Sequence, residues 1–403
     1  MNRRVYGIGS LWEVFLAALK LGLTSFGGPV AHIGYFRNEY VESRQWLTDR
    51  AFADLVVLCQ FLPGPASSQL GMAIGAKRAG AWGAVAAWIG FTFPSALLMI
   101  LFAYSASSLN IADAGWLQGL KLAAVAIVAQ AVWSMARTLA PDSFRAALAL
   151  GTACMAILIP HMWGQLLPLI VCAVIGIWML KPKTDADLTA EPEENMPKIS
   201  RRFGGSMLVI FFFLLIGLPI VSHWGGGSLI AIVDSIYRAG SLVFGGGHVV
   251  LPMLEVELVG KGEPMLTHGQ FMAGYGAVQA VPGPLFTFAA YIGAAMQTGP
   301  MRMIYAFIAL FAIFLPSFLL LIGTLPFWEA LKQNRAAQAA LKGVNAGIVG
   351  ILLAALYDPI FVDTVNTTIQ FVFVLVFFAM IQLWKRPPWQ VVLLAAIAGL
   401  LFL

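Results

Sequence analysis

Apolar stretches of bilayer-spanning length recur along this chain, and nothing else in the sequence restricts its fold as strongly. A helix needs roughly 20 apolar residues to cross a membrane. Such runs lie near 10–31, 51–80, 82–108, 113–137, 143–160 and 162–180. They resume near 204–223, 226–247, 269–295, 301–326, 336–357, 361–384 and 388–403, those at 51–80 and 269–295 being interrupted. Of 403 residues, 60% are hydrophobic and only 11% charged, where a soluble domain carries about 25% charged residues. Inside lipid the backbone must satisfy its own polar groups. The runs are therefore read as an all-α polytopic membrane protein of about 13 transmembrane helices.

The net charge of +5 is read as Lys and Arg in cytoplasmic loops, because no folded basic module for nucleic acid is present. Cys59, Cys154 and Cys172 all sit in apolar runs without metal-ligand spacing, so they are expected to be small buried hydrophobes. No metal and no cofactor are expected. The start, Met1-Asn2-Arg3-Arg4, has the charge of a signal peptide. Lys20 breaks the apolar run after it and no small-residue cleavage site comes next, so a retained first helix is expected.

The second half repeats the first. Phe26-Gly27-Gly28 matches Phe244-Gly245-Gly246, and Trp46-Leu47-Thr48 matches Met265-Leu266-Thr267. Gln60-Phe61-Leu62-Pro63-Gly64-Pro65 matches Gln279-Ala280-Val281-Pro282-Gly283-Pro284 at an offset of 219. Phe93-Pro94-Ser95 pairs with Leu315-Pro316-Ser317, and Leu120-Lys121 with Leu341-Lys342. Ordered matches at nearly constant offset indicate duplication. The expected division is an N-terminal repeat over 1–180, a polar linker over 181–203, a spacer helix over 204–225 and a C-terminal repeat over 226–403. An odd spacer helix inverts every span after it, giving an inverted-topology repeat. The linker, Lys77-Arg78 and Lys385-Arg386 then fall on the cytoplasmic side. The loop carrying Arg37, Arg44 and Arg50 stands against this, since it would face outward.

Each Pro-Gly-Pro removes two backbone donors inside an apolar run. Paired interruptions at matching positions point to a transporter's binding site. The half-helix after each break offers unpaired N–H groups and a positive dipole end, which suits an anion. The candidate substrate-binding residues are Pro63, Gly64, Pro65, Ser67 and Ser68, with Pro282, Gly283, Pro284 and Thr287. Gly27, Gly28, Gly245, Gly246 and Gly247 join them, because glycines let successive N–H groups approach an anion. Gln60 and Gln279 add uncharged amide donors. Lys121 and Lys342 are repeat-equivalent cations able to neutralise a divalent anion, whereas Lys20 is read as reaching for the interface. His32 and His248 are candidates for gating or coupling. Glu39, Glu42, Asp54, Glu255 and Glu257 are read as a solvated loop face, with gating or pairing to Arg37 or Arg44 as the other reading. Trp46, Trp82, Trp163, Trp328 and Trp384 are read as an interfacial belt. No phosphate loop, HExxH or GxSxG occurs, so the chain is not expected to be an enzyme. Each charge moved through the membrane potential is worth ~2.3 kcal/mol per 100 mV, which favours outward movement of an anion.

These motifs together resemble the chromate ion transporter family in its long, two-domain form. They are Phe26-Gly27-Gly28-Pro29 with His32, Trp46-Leu47-Thr48, both Gln-to-Pro-Gly-Pro stretches, and Phe244-Gly245-Gly246-Gly247-His248 followed by Leu251-Pro252. The resemblance implies chromate export from the bacterial cytoplasm through the inner membrane, with chromate resistance as its result. It also implies sulfate as a competitor of similar charge and shape; the lipid bilayer and a homodimer are the other expected partners. The repeats and breaks by themselves point only to a small anion. A sulfate or other oxyanion carrier is the nearest alternative. An intramembrane hydrolase using Ser67 or Ser68 with His32, and chromate reduction at Cys59, are more distant ones.

Overall fold

The computed structural model describes residues 8–26, 28–108, 115–159, 163–180, 199–225, 227–243, 247–259 and 265–402. All regular structure among them is helical. The first repeat holds α1 (Ile8–Thr24), α2 (Gly28–Arg37, continued by a π turn over Asn38–Ser43), α3 (Asp49–Phe61), α4 (Ala66–Ser108), α5 (Gly115–Leu139), α6 (Ser143–Leu158) and α7 (Trp163–Met179). The spacer is α8 (Arg201–His223). The second repeat holds α9 (Gly227–Leu242), α10 (Gly247–Leu258), α11 (His268–Ala280), a 3-10 turn over Leu285–Thr287, α12 (Phe288–Ala295) and α13 (Met301–Thr324). It closes with α14 (Trp328–Gln333), α15 (Arg335–Ala355), a π turn over Leu356–Phe361, α16 (Thr368–Gln382) and α17 (Pro388–Phe402). Most of the linker lies outside the described residues. Ser200 caps α8 by accepting from the Phe203 amide, so Arg201, Arg202 and Phe203 belong to the helix rather than to the linker.

Among the described residues, five stretches are long and apolar enough to cross a membrane: Ala66–Ala106, Gly115–Leu139, Arg201–His223, Met301–Phe327 and Arg335–Phe361. Others, such as Ser143–Leu158 and Pro388–Phe402, are apolar but shorter. The first of the five is not one rod. Ala79 and Gly80 leave helical geometry, and a Cβ on Gly75 would collide with the Gly83 carbonyl. α4 therefore folds back on itself, with a short first arm (66–78) and a long second arm (81–108).

The interrupted runs are hairpins rather than broken rods. A straight course from Asp49 to Arg78 would measure roughly 45 Å at the helical rise. Instead the Arg78 guanidinium sits 5.1 Å over the Trp46 ring and 2.8 Å from Glu13. The start of α3 and the end of the first α4 arm thus share one end of the molecule. α11 and α12 do the same: the Tyr291 hydroxyl donates to the Gln270 carbonyl at 2.7 Å, and Thr267 and Gln297 line one cavity. That cavity also takes in Ala103 and Ala106 from the far end of the second α4 arm. The two hairpins therefore open at opposite ends of this long arm. Equivalent caps start them, Thr48 accepting from the Ala51 amide and Thr267 forming a capping box with Gln270.

The halves are repeats in sequence but not separate bodies. α15 packs against α6 and α7, and α5 against α16 and α17. Small residues allow these crossings. Gly119 faces the Ala395 backbone, Gly399 faces Gly115, and Gly343 faces Cys172. α8 packs against α9 and α13 and leaves Val209, Phe212, Phe213, Ile216 and Ile220 exposed, as a helix at a lipid boundary would.

Candidate functional site

The two Pro-Gly-Pro tips cross between the repeats. The Gly64 amide donates to the Val243 carbonyl at 2.6 Å, and the Gly283 amide donates to the Ser25 carbonyl at 2.8 Å. Each tip thus docks onto the break that precedes the glycine cluster of the opposite half. Gly64 has φ +119° and Gly283 φ +97°, which L side chains rarely adopt. The prolines interrupt the helix and the glycine turns the chain. Ser317 Oγ stands 2.6 Å from where a Gly64 Cβ would be, and Ser95 Oγ crowds the same position at Gly283. Ser95 donates to the Pro282 carbonyl, while Gln69 Nε2 donates to the Pro63 carbonyl at 2.7 Å.

Beyond each tip a helix begins. The Gln69 amide is the first in its arm to find an acceptor, Pro65 O at 2.9 Å. The preceding amides, of Ala66, Ser67 and Ser68, are the unpaired N-terminal donors of that arm. In the second hairpin, Leu285 and Phe286 precede the Thr287 amide, which donates to Pro284 O at 3.0 Å. Around the tips are buried polar atoms with no partner: Ser25 Oγ, both His32 ring nitrogens, Ser68 Oγ, Gln69 Oε1, Thr92 Oγ1, Gln279 Nε2 and Ser317 Oγ. A buried polar group left unsatisfied costs about 1–3 kcal/mol. Their concentration along α2, the hairpins and the two long helices suits a polar guest.

The structure places the sequence candidates unevenly. Pro63 and Pro282 are half-buried, whereas Gly64, Pro65, Ser67, Ser68, Gly283 and Pro284 are buried. Gln279 is buried but Gln60 is exposed, so the two amides are not equivalent. Thr287 gives its proton to Pro284 O at 2.8 Å and therefore has none for a ligand. Gly28 and Gly247 are the first residues of α2 and α10. Gly27, Gly245, Gly246 and the His248 side chain lie outside the described residues. Lys121 is half-buried and Lys342 exposed, so the repeat-equivalent lysines do not share a setting. Lys121 Nζ lies against Gly269 of α11, 3.4 Å from a Cβ position there. Sequence reasoning missed Ser95, Ser317 and Thr92 as site residues, although the duplicated Pro-Ser of the long helices marks the first two.

Three other expectations are corrected. Cys154 is exposed, while Cys59 and Cys172 are buried. Trp328 is buried against Phe61, not interfacial, whereas Trp82 and Trp384 are exposed as expected. The acids are not all a solvated face, since Glu39 and Glu255 are buried. Lys20 is ion-paired to Glu39 at 2.6 Å, and Arg44 reaches the same carboxylate at 2.7 Å. Arg238 stands 218 residues after Lys20, and Glu257 218 after Glu39; this second pair lies at 3.0 Å, with Asp234 at 2.9 Å on the same guanidinium. The duplication thus includes an ion pair that the alignment of apolar motifs hid, because Lys and Arg exchange in it. Burial pushes the Glu39 carboxyl up, but Lys20 and Arg44 outweigh it and hold the group below its ordinary range.

A cavity of about 430 Å³ opens at the mouth of the second hairpin, lined by Trp116, Thr267, Gln270, Gln297, Thr298 and Arg302 among others. Arg302 Nε donates to Gln297 O at 2.7 Å, and its guanidinium lies 5.0 Å over the Tyr104 ring. The mouth of the second hairpin therefore sets one cation, Arg302, beside the uncharged side chains of Thr267, Gln270, Gln297 and Thr298.

A largely apolar helical bundle with two broken hairpins meeting around unsatisfied polar groups is a multi-pass membrane transporter. The chain belongs to the chromate transporter family, whose model matches residues 12–177 and 230–400. It is 28% identical over 354 residues to the chromate transport protein of Pseudomonas aeruginosa, covering 86% of this chain and 80% of that one. It is 24% identical to the probable chromate transport protein of Synechococcus elongatus, covering 98% and 96%. It is also 24% identical to the chromate transport protein of Cupriavidus metallidurans, covering 86% and 82%. No solved structure matches the chain.

Proposed function

We propose that the protein is a secondary transporter that exports chromate from the bacterial cytoplasm through the inner membrane and so confers chromate resistance. The observation that carries this reading is the crossed pair of tips, where N-terminal amides and unpartnered hydroxyls converge from both repeats. Hydrogen bonds from such donors replace the hydration of a tetrahedral oxyanion. Ser67, Ser68, Gln69, Gln279 and Ser317 are the ligand donors in this account, and Lys121 and Arg302 draw the anion to the outer mouth. Lys342, being exposed, has no part in it, and Thr287 shapes the second tip. Family membership and the names of the relatives support chromate as cargo. Sulfate presents similar oxygens and competes.

An inverted repeat is supported by the two hairpins opening at opposite ends of the long α4 arm. The fold-back also removes the charge conflict seen in the sequence. Arg44 lies 5.2 Å over the same Trp46 ring as Arg78, so the loop carrying Arg37, Arg44 and Arg50 joins Arg78 on the cytoplasmic side. The positive-inside rule then holds for both. One hairpin faces the cytoplasm and the other faces out, as alternating access around a midplane site requires.

Inverted vesicles carrying the protein test this. They should accumulate labelled chromate above empty vesicles, and excess sulfate should reduce the uptake. No accumulation removes chromate as cargo; sulfate uptake without chromate uptake favours a sulfate carrier of the same architecture.

A further inference from the structure

We propose that Glu255 and His268 form a proton-binding couple at the outward hairpin, through which a proton is taken up as the anion leaves. This rests on the transport reading above and names its coupling ion. His268 Nδ1 stands 3.0 Å from Glu255 Oε1 and 3.8 Å from Asp363 Oδ2. The side chains are graded in exposure: Asp363 is 49% exposed, His268 21% and Glu255 2%. Neither Glu255 oxygen and neither His268 nitrogen completes a hydrogen bond with the protein. An unpaired charge at such depth is costly, so the carboxyl gains by holding a proton when the ring is neutral.

Comparison of the repeats sharpens the assignment. Glu255 stands 218 residues after Arg37, and His268 219 after Asp49. Arg37 and Asp49 also form a pair, at 2.8 Å, but both are exposed. The first repeat thus holds a permanent cation against a carboxylate, since arginine does not lose its proton. The second repeat holds, at the same positions and with the acid moved to the other helix, two groups that exchange protons. The duplication keeps a contact between α2 and α3, or between α10 and α11, and the outward copy replaces the permanent cation with a histidine.

The groups facing Glu255 are His268 and Tyr275 from α11 and Asp358 and Asp363 from the segment after α15. Lys121 of α5 lies against Gly269, and Arg238 with Asp234 of α9 holds the neighbouring Glu257. The Tyr275 hydroxyl lies in the field of Glu255 and towards the Gln279 amide one turn on. Gln279 leads into Pro282, and its Nε2 has no partner. The couple is therefore joined to the tip by one buried helix. In the step itself, a proton from outside water lodges on the His268 ring and passes from Nδ1 to Glu255 Oε1. A neutral imidazole and a neutral acid remain; once alternating access turns the couple towards the cytoplasm, the proton returns from Glu255 Oε1 to the ring and leaves to cytoplasmic water.

The test uses the full chain in liposomes containing a pH-sensitive dye, with the membrane potential clamped and a chromate gradient imposed. The expected result is proton movement opposite to chromate in the wild type. Glu255→Gln should cut proton movement more than tenfold while chromate still moves down its gradient, and the exposed Glu42→Gln should change neither. Wild-type proton movement in Glu255→Gln overturns the proposal. Infrared difference spectra between acid and alkaline pH, taken without chromate, give a second readout. Among the protonated-carboxyl bands, to which the other acids also contribute, one component should be lost in Glu255→Gln and moved along the pH axis in His268→Asn, which keeps the carboxyl. A wild type with no component that Glu255→Gln removes overturns the couple whatever the cargo is. A band that behaves as expected, with no chromate movement, removes only chromate as cargo.

Discussion

At Gly64 and Gly283 a single hydrogen replaces what would be a collision with Ser317 or Ser95, and the positive φ adds strain for any side chain. Gly64→Ala and Gly283→Ala should each cost about 1–3 kcal/mol of backbone strain. Both should also displace the facing serine, which thermal unfolding and vesicle transport together would register as a lower Tm and lost uptake. The two serines themselves should behave differently. Ser95 holds the Pro282 carbonyl, so Ser95→Ala should lower stability by ~1 kcal/mol. Ser317 Oγ has no partner, so Ser317→Ala should leave Tm unchanged and raise KM for chromate. Glu39 carries a pH signature. Its carboxyl is held below the ordinary range by Lys20 and Arg44. The stability it contributes is therefore present above the unfolded-state value of about 4 and is lost as pH falls through the lower folded-state one. Glu39→Gln should flatten the acid limb of a Tm-against-pH curve; an unchanged limb would show that the pair does not contribute.

Among the elements, the proposed transport rests most on the two hairpins. Pro63→Ala and Pro282→Ala each restore a backbone donor and remove the bar to a continuous helix. The expected outcome is a chain that still inserts and is recovered from membranes at the wild-type level but transports nothing. Sequence made much of this legible. The Pro-Gly-Pro breaks and the boundary near Gly80 stand where local chemistry put them, whereas the runs at 10–31 and 226–247, read as continuous, are broken before Gly28 and Gly247. The fold-back did not show, because a re-entrant hairpin and a broken span have the same length and hydropathy. Only the charge conflict at Arg37, Arg44 and Arg50 hinted at it, and the proposed topology is one in which that conflict disappears. Glu255 and His268 were illegible for a related reason, since an acid at a loop edge reads as solvated until its neighbours close over it.

Across the whole molecule the repeats interlock twice, at the crossed tips and where α5 packs on α17 and α15 on α7. Residues far apart in sequence, one from each half, make these contacts, so no local pattern could have announced them. Neither half buries its polar tip alone. Expressing 1–200 and 201–403 separately should give unstable products, while co-expression should restore a complex that transports chromate, as size-exclusion chromatography and vesicle uptake would show. A stable, monodisperse single half would mean that the interlock is dispensable. The central claim is the position of the anion, and anomalous scattering from chromium in crystals of the transport-competent protein locates it directly. The account predicts one chromium peak between Pro63–Pro65 and Pro282–Pro284, within hydrogen-bond reach of Ser68 or Ser317; a peak confined to the outer cavity near Arg302, with none between the tips, would contradict it.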